Sequence, residues 1–117
     1  MGEPAVVDAL RADPPRAALA TAVRYTLQLL AERAEGNTVE VRVPPFGAVQ
    51  CIPGPRHTRG TPPNVIETDA GTWLALASGS VGWDEALAEH RVHASGSRAD
   101  LTGYVPIPPI ASLRTRA

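Results

Sequence analysis

The chain has 117 residues, with 11 basic residues, all arginine, against 12 acidic ones and a formal net charge of -1. That length holds one compact domain with its own core and is too short for two ordinary ones. The balanced charge leaves no excess for generic binding to a nucleic-acid backbone, and no apolar run approaches the roughly 20 residues needed to cross a bilayer.

Residues 5 to 11, AVVDALR, read as a short helix that ends before Pro14-Pro15. A longer one follows: Asp13 is placed to cap it and Pro14 to occupy its first position, ahead of RAALATAVRYTLQLLAERAEG. Leu19, Val23, Leu27 and Leu30 fall on one stripe of that helix, and Gly36-Asn37 supplies the stop. TVEVRV alternates as a half-buried strand does, with Val39, Val41 and Val43 on one side. FGAVQCI is apolar or small on both faces, which predicts a more central strand paired with it in a hairpin. Beyond the loop GPRHTRGTPP, NVIET is a short third strand.

Asp69 predicts the N-cap of AGTWLALAS, in which Trp73, Leu76 and Ala77 share a face and Gly79 ends the helix. Gly82 precedes WDEALAEH, with Asp84 and Glu85 in a first turn that favours negative charge and with Trp83 and Leu87 facing the same way. RVHAS is a fourth strand, closed by Gly96, and SRADLTGYVPIPPIASL is read as a turn plus an extended, proline-rich tail. These elements define a single domain over 1–117: helices over about 4–36, a sheet and helix pair over about 38–107, and a tail over 108–117. Their grouping predicts an α+β fold, a mixed, mostly antiparallel sheet of four to five strands covered by helices on one face.

Four constellations have chemical potential. In the loop, Arg56, His57 and Arg59 suit a carboxylate or phosphate; equally, they suit bracing of Glu67 or Asp69, and catalysis is the weakest of the three readings. His90 and His93 have H-x-x-H spacing, but the pair spans a helix-to-strand junction and has no cysteine pair to complete a zinc site. Cys51 with His57 is a poor nucleophile and base, because a cysteine inside an apolar strand behaves as a small hydrophobe. Asp84-Glu85 fits helix capping better than acid-base work. No catalytic residue, metal site or cofactor motif is assigned. The lone Cys51 excludes an internal disulfide, and MGEPAVVDALRADPP lacks the basic start and apolar run of a secretory signal, so the expected location is the cytoplasm.

The stretch IETDAGTWLALASGSVGWDEALAEHRVHASGSRADL resembles the sterol carrier protein family. The features that carry the resemblance are Asp69, Trp73-Leu74, Leu76, Gly79, Trp83-Asp84-Glu85-Ala86 and Arg91 to Gly96. The long helix and the VEVRV/FGAVQC pair match the family's order of elements, so the resemblance runs from about Arg16 to Leu101. It is nearest a bacterial, actinobacterial-type branch; the arginine-only basic set and abundant alanine have the composition of a GC-rich bacterial genome. The family implies a five-stranded sheet covered by helices on one side, a cavity for fatty acyl chains, sterols or other lipids, and no universal catalytic residue. Related domains also serve as accessory domains of enzymes, including mycothiol-dependent isomerase-type proteins. Here only four strands are legible, and the apolar C-terminal helix of animal members is reduced to IPPIASLRTRA.

The resemblance thus implies a non-enzymatic domain binding a lipid, fatty acyl or sterol-like ligand. Leu27, Leu30, Val49, Val65, Trp73, Leu76, Trp83 and Leu87 are the candidates to line its cavity, and Arg56, His57 and Arg59 the candidates for an anionic headgroup. The alternative is an interaction or accessory module, packed on a partner enzyme or on its own copy, without a ligand.

Overall fold

Two valines and an isoleucine set the middle of the sheet. In the computed structural model, which describes residues 2–11, 14–54 and 63–113, Val41 is paired with Val49 on one side and Ile66 on the other. The strands are β1 (Val39–Val43), β2 (Gly47–Cys51), β3 (Asn64–Thr68) and β4 (Val92–Ser95). Their order is β2-β1-β3-β4. β1 runs antiparallel to β2 and parallel to β3, and β3 runs antiparallel to β4. The fold is therefore α+β with an open, mixed four-stranded sheet.

Side chains alternate across a strand, so the register divides the sheet into two faces. Val39, Val41, Val43, Cys51, Ile66, Thr68 and Val92 are buried on one. The other carries two cross-strand rows: Gln50, Glu40, Val65 and Ser95, and Ala48, Arg42, Glu67 and His93. Arg42 and Glu40 form an exposed ion pair there at 2.9 Å. The apolar face is the one that the helices cover.

Those helices are α1 (Glu3–Ala9), α2 (Arg16–Arg33), α3 (Ala70–Ser78), α4 (Trp83–Ala88) and α5 (Pro108–Leu113). α2 packs on β2, α1 and α3, and α5 packs on α1 and α3. Ala22, Val23, Leu27 and Leu30 of α2 join Trp73, Leu74, Leu76 and Ala77 of α3 and the buried sheet residues in one apolar cluster.

Four expectations change. FGAVQC supplies an edge strand and not a central one; its apolar residues are accounted for by α2 packing on it. α2 starts at Arg16 with Pro15 as N-cap and no side-chain cap, so the cap assigned to Asp13, which lies outside the described residues, does not apply. Its end precedes Gly36-Asn37: Ala34 leaves the helical region at φ -130°, ψ 67°, and its carbonyl accepts the Ile52 amide at 2.6 Å. That bond ties the helix end to the exit of β2, where Ile52 takes the left-handed φ of 73°, rare for a β-branched residue. Finally, the tail is not extended. Leu101, Ile107, Ile110 and Leu113 are buried, and Pro108–Leu113 is helical because the apolar pair Ile110 and Leu113, one turn apart, has a core to enter.

The β3–α3–α4–β4 segment follows its sequence closely. Asp69 accepts the Thr72 amide at 2.8 Å, Gly79 ends α3 at φ 84°, and Gly82 precedes α4.

Candidate functional site

The apolar layer between helices and sheet is built from side chains that periodicity alone placed inside. Leu27, Leu30, Trp73 and Leu76 are each at most 1% exposed, and Trp83 is 7% exposed. The remaining three cavity candidates are less buried. Val49 is half-buried on edge strand β2, on the covered face beside Val41 and packed against the core. Val65 is half-buried on the uncovered face, while Ile66 takes the core position beside it. Leu87 is 36% exposed. The alternation of NVIET fits either register, so only the pairing of Ile66 with Val41 decides between Val65 and Ile66.

A polar pair lies inside this layer. Trp73 donates its indole Nε1–H to Thr26 Oγ1 at 2.7 Å, and Thr26 donates its hydroxyl to the Ala22 carbonyl, also at 2.7 Å. Both groups are thereby satisfied in a dry core. Thr26 was missed in the sequence because a threonine inside a helix ordinarily reads as a weak helix former, and its partner is 47 residues away.

Surface clefts lie outside the layer. One of about 520 Å³ is lined by Pro44, Glu67, Thr68, Asp69, His90, Arg91 and His93, at the carboxyl ends of the parallel pair β1 and β3. Another, about 500 Å³, runs along Gly2, Thr21, Arg24, Tyr25 and Gln28, where α1 meets α2. A third, about 130 Å³, is lined by Asn37, Thr38, Glu40, Gln50, Pro63 and Asn64. None of these three touches any of the eight cavity candidates.

His90 and His93 share the first cleft and are both exposed. His90 sits just past α4 at φ 58°. Its amide bonds to the Leu87 carbonyl and that of Arg91 to the Ala86 carbonyl, the double bond of a Schellman stop with histidine where glycine is usual. Arg91 pairs with Glu89 at 3.4 Å, and both carboxylate oxygens of Asp69 are engaged by Thr72. Among the described residues no group of three His, Cys, Asp or Glu side chains is placed to hold a metal ion.

Cys51 is fully buried, and burial pushes its thiol up to about 11. A thiol with so little thiolate near neutral pH is a poor nucleophile, in keeping with the strand it occupies. Arg56, His57 and Arg59 lie outside the described residues.

The mixed sheet, the helical cover on one face and the capped β3–α3 joint agree with the architecture that the Asp69 to Gly96 signature implied, with four strands where the resemblance implied five. The family model described as bacterial SCP ortholog matches residues 15–107. The chain belongs to this family and is a sterol carrier protein-like domain. Comparison with curated proteins finds no match. No helix among the described residues is long and apolar enough to cross a membrane.

Proposed function

We propose that this domain binds a lipid or other apolar molecule between its helices and the apolar face of its sheet, without catalysing a reaction on it. The observation that carries this reading is membership of the sterol carrier protein-like family over residues 15–107. The apolar layer of Leu27, Leu30, Trp73 and Leu76, inserted between helices and sheet, is its physical counterpart. Because these side chains are packed against one another, a ligand enters this layer by parting helices. Arg56, His57 and Arg59 are then the candidates for an acidic headgroup.

Trp73 and Trp83 both belong to the layer, so their fluorescence is the direct readout. Titration with oleate is expected to give a saturable change; a response that stays linear or flat at all concentrations contradicts the reading.

A second reading is favoured by the sheet face opposite the apolar one, whose rows Gln50-Glu40-Val65-Ser95 and Ala48-Arg42-Glu67-His93 are exposed or half-buried. In it the domain is an accessory module that docks by this face on a second copy of itself. Sedimentation across a concentration series tests this: a monomer at every concentration rules it out.

A further inference from the structure

The matched span 15–107 leaves out α1 and α5, yet these two helices are not loose appendages. α1 packs on α2, α5 packs on α3, α2 packs on α3, and α1 and α5 pack on each other. The four helices thus form a closed ring, in which the two ends of the chain complete what α2 and α3 begin. The side chains that close it are few: Val6 and Ala9 from α1, Ile110 and Leu113 from α5, all buried. Gly2 lies against the Tyr25 ring, where a side chain has no room. The Ile107 amide donates to the Ala77 carbonyl at 2.9 Å and fixes the start of α5 on α3.

Both helices of this pair are short and lie at the ends of the chain. α1 has seven residues and α5 six, and isolated helices shorter than roughly 12 to 15 residues are marginal in water. Each is held helical by its buried side chains, those of α1 packed on α2 and those of α5 on α3, and by the other helix. Segments with few buried apolar contacts open at lower cost than the core to which they are attached. Because α1 and α5 share one contact surface, releasing either removes packing from the other.

We propose that α1 and α5 act as one clasp, which opens as a unit while the sheet stays folded and whose opening uncovers the apolar α2–α3 surface to a ligand. The coupled opening is a property of the helices themselves; the gating role rests on the apolar-ligand reading above.

The experiment uses the full chain and its Ile110→Ala variant, with hydrogen exchange read at individual amides and stopped-flow binding of the fluorescent fatty acid cis-parinaric acid. Truncation at Ile110 is expected to speed exchange at Val6 to Leu10, at the opposite end of the chain, by about thirtyfold or more, the factor for the mild end of large-to-small core changes. Amides of β1 and β3 keep their rates, and the fatty acid associates faster with the variant than with the parent. An unchanged α1, or β1 and β3 accelerated together with it, overturns the clasp. In case the variant does not fold, Val6→Ala is read the same way, with acceleration expected at Ile110 to Leu113. Binding at equal rates to parent and variant overturns the gate alone. Absence of binding to either, with the exchange coupling intact, overturns the lipid reading and the gate with it, and leaves coupled opening established.

Discussion

Trp73 of α3 and Thr26 of α2 are joined by a buried hydrogen bond of 2.7 Å across 47 residues of sequence. It fixes the two helices in register over the sheet. An indole N–H deprived of its acceptor in a dry core costs about 1–3 kcal/mol. Thr26→Val, nearly isosteric, is expected to destabilise the domain by that amount in chemical denaturation, whereas Thr26→Ser retains most of the stability. A larger loss for Thr26→Ser than for Thr26→Val would show that methyl packing and not the hydroxyl matters.

The two faces of β3 are separable by substitution. Ile66→Ala removes a fully buried side chain from the centre of the layer and is expected to cost about 2–5 kcal/mol. Val65→Ala, on the half-buried outer face, is expected to cost less than about 1 kcal/mol. Denaturation midpoints with unchanged slopes would establish the difference, and the reverse order would place the covered face on the wrong side of the sheet.

His90 occupies a left-handed position at φ 58°, where a side chain adds steric cost and glycine adds none. His90→Gly is expected to raise stability by about 0.5–1 kcal/mol, since the two stop hydrogen bonds are backbone bonds and survive the change. A loss of stability would reveal an interaction of the imidazole that outweighs the backbone term.

Cys51 links stability to alkaline pH. Its thiol moves from 9.0 to about 11 through burial, so between those values the folded chain holds a proton that the unfolded chain has released. Stability contributed by this group is complete below pH 9 and is lost as pH rises through 11, by about 2–3 kcal/mol in all. The Cys51→Ala variant is expected to lack this part of the alkaline decline in midpoints measured from pH 8 to 11. Parallel curves for the two proteins would contradict it.

Local chemistry made much of this fold legible. Asp69, Gly79 and Gly82 mark α3 and α4 because capping is decided within a few residues, and Val39, Val41 and Val43 mark β1 because alternation is a local pattern. What stayed hidden depends on partners distant in sequence. FGAVQC reads as central because its apolar residues are visible, whereas the helix that covers them is not. IPPIASL reads as extended because its prolines are visible; that Pro108 begins a helix with Ile110 and Leu113 turned inward requires knowing where α1 and α3 lie. Within the site, Leu27, Leu30, Trp73 and Leu76 are legible from helical period, whereas Val65 reads as a lining candidate and Ile66 does not stand out, because a strand of five residues does not reveal which face is covered.

The central claim is that the layer between helices and sheet takes up an apolar molecule. Native mass spectrometry of the purified chain incubated with oleate tests it most directly. The account predicts a single adduct of one oleate per chain that saturates and is displaced by a competing fatty acid. A spectrum of unliganded protein alone, or adducts that multiply without saturation, would contradict it.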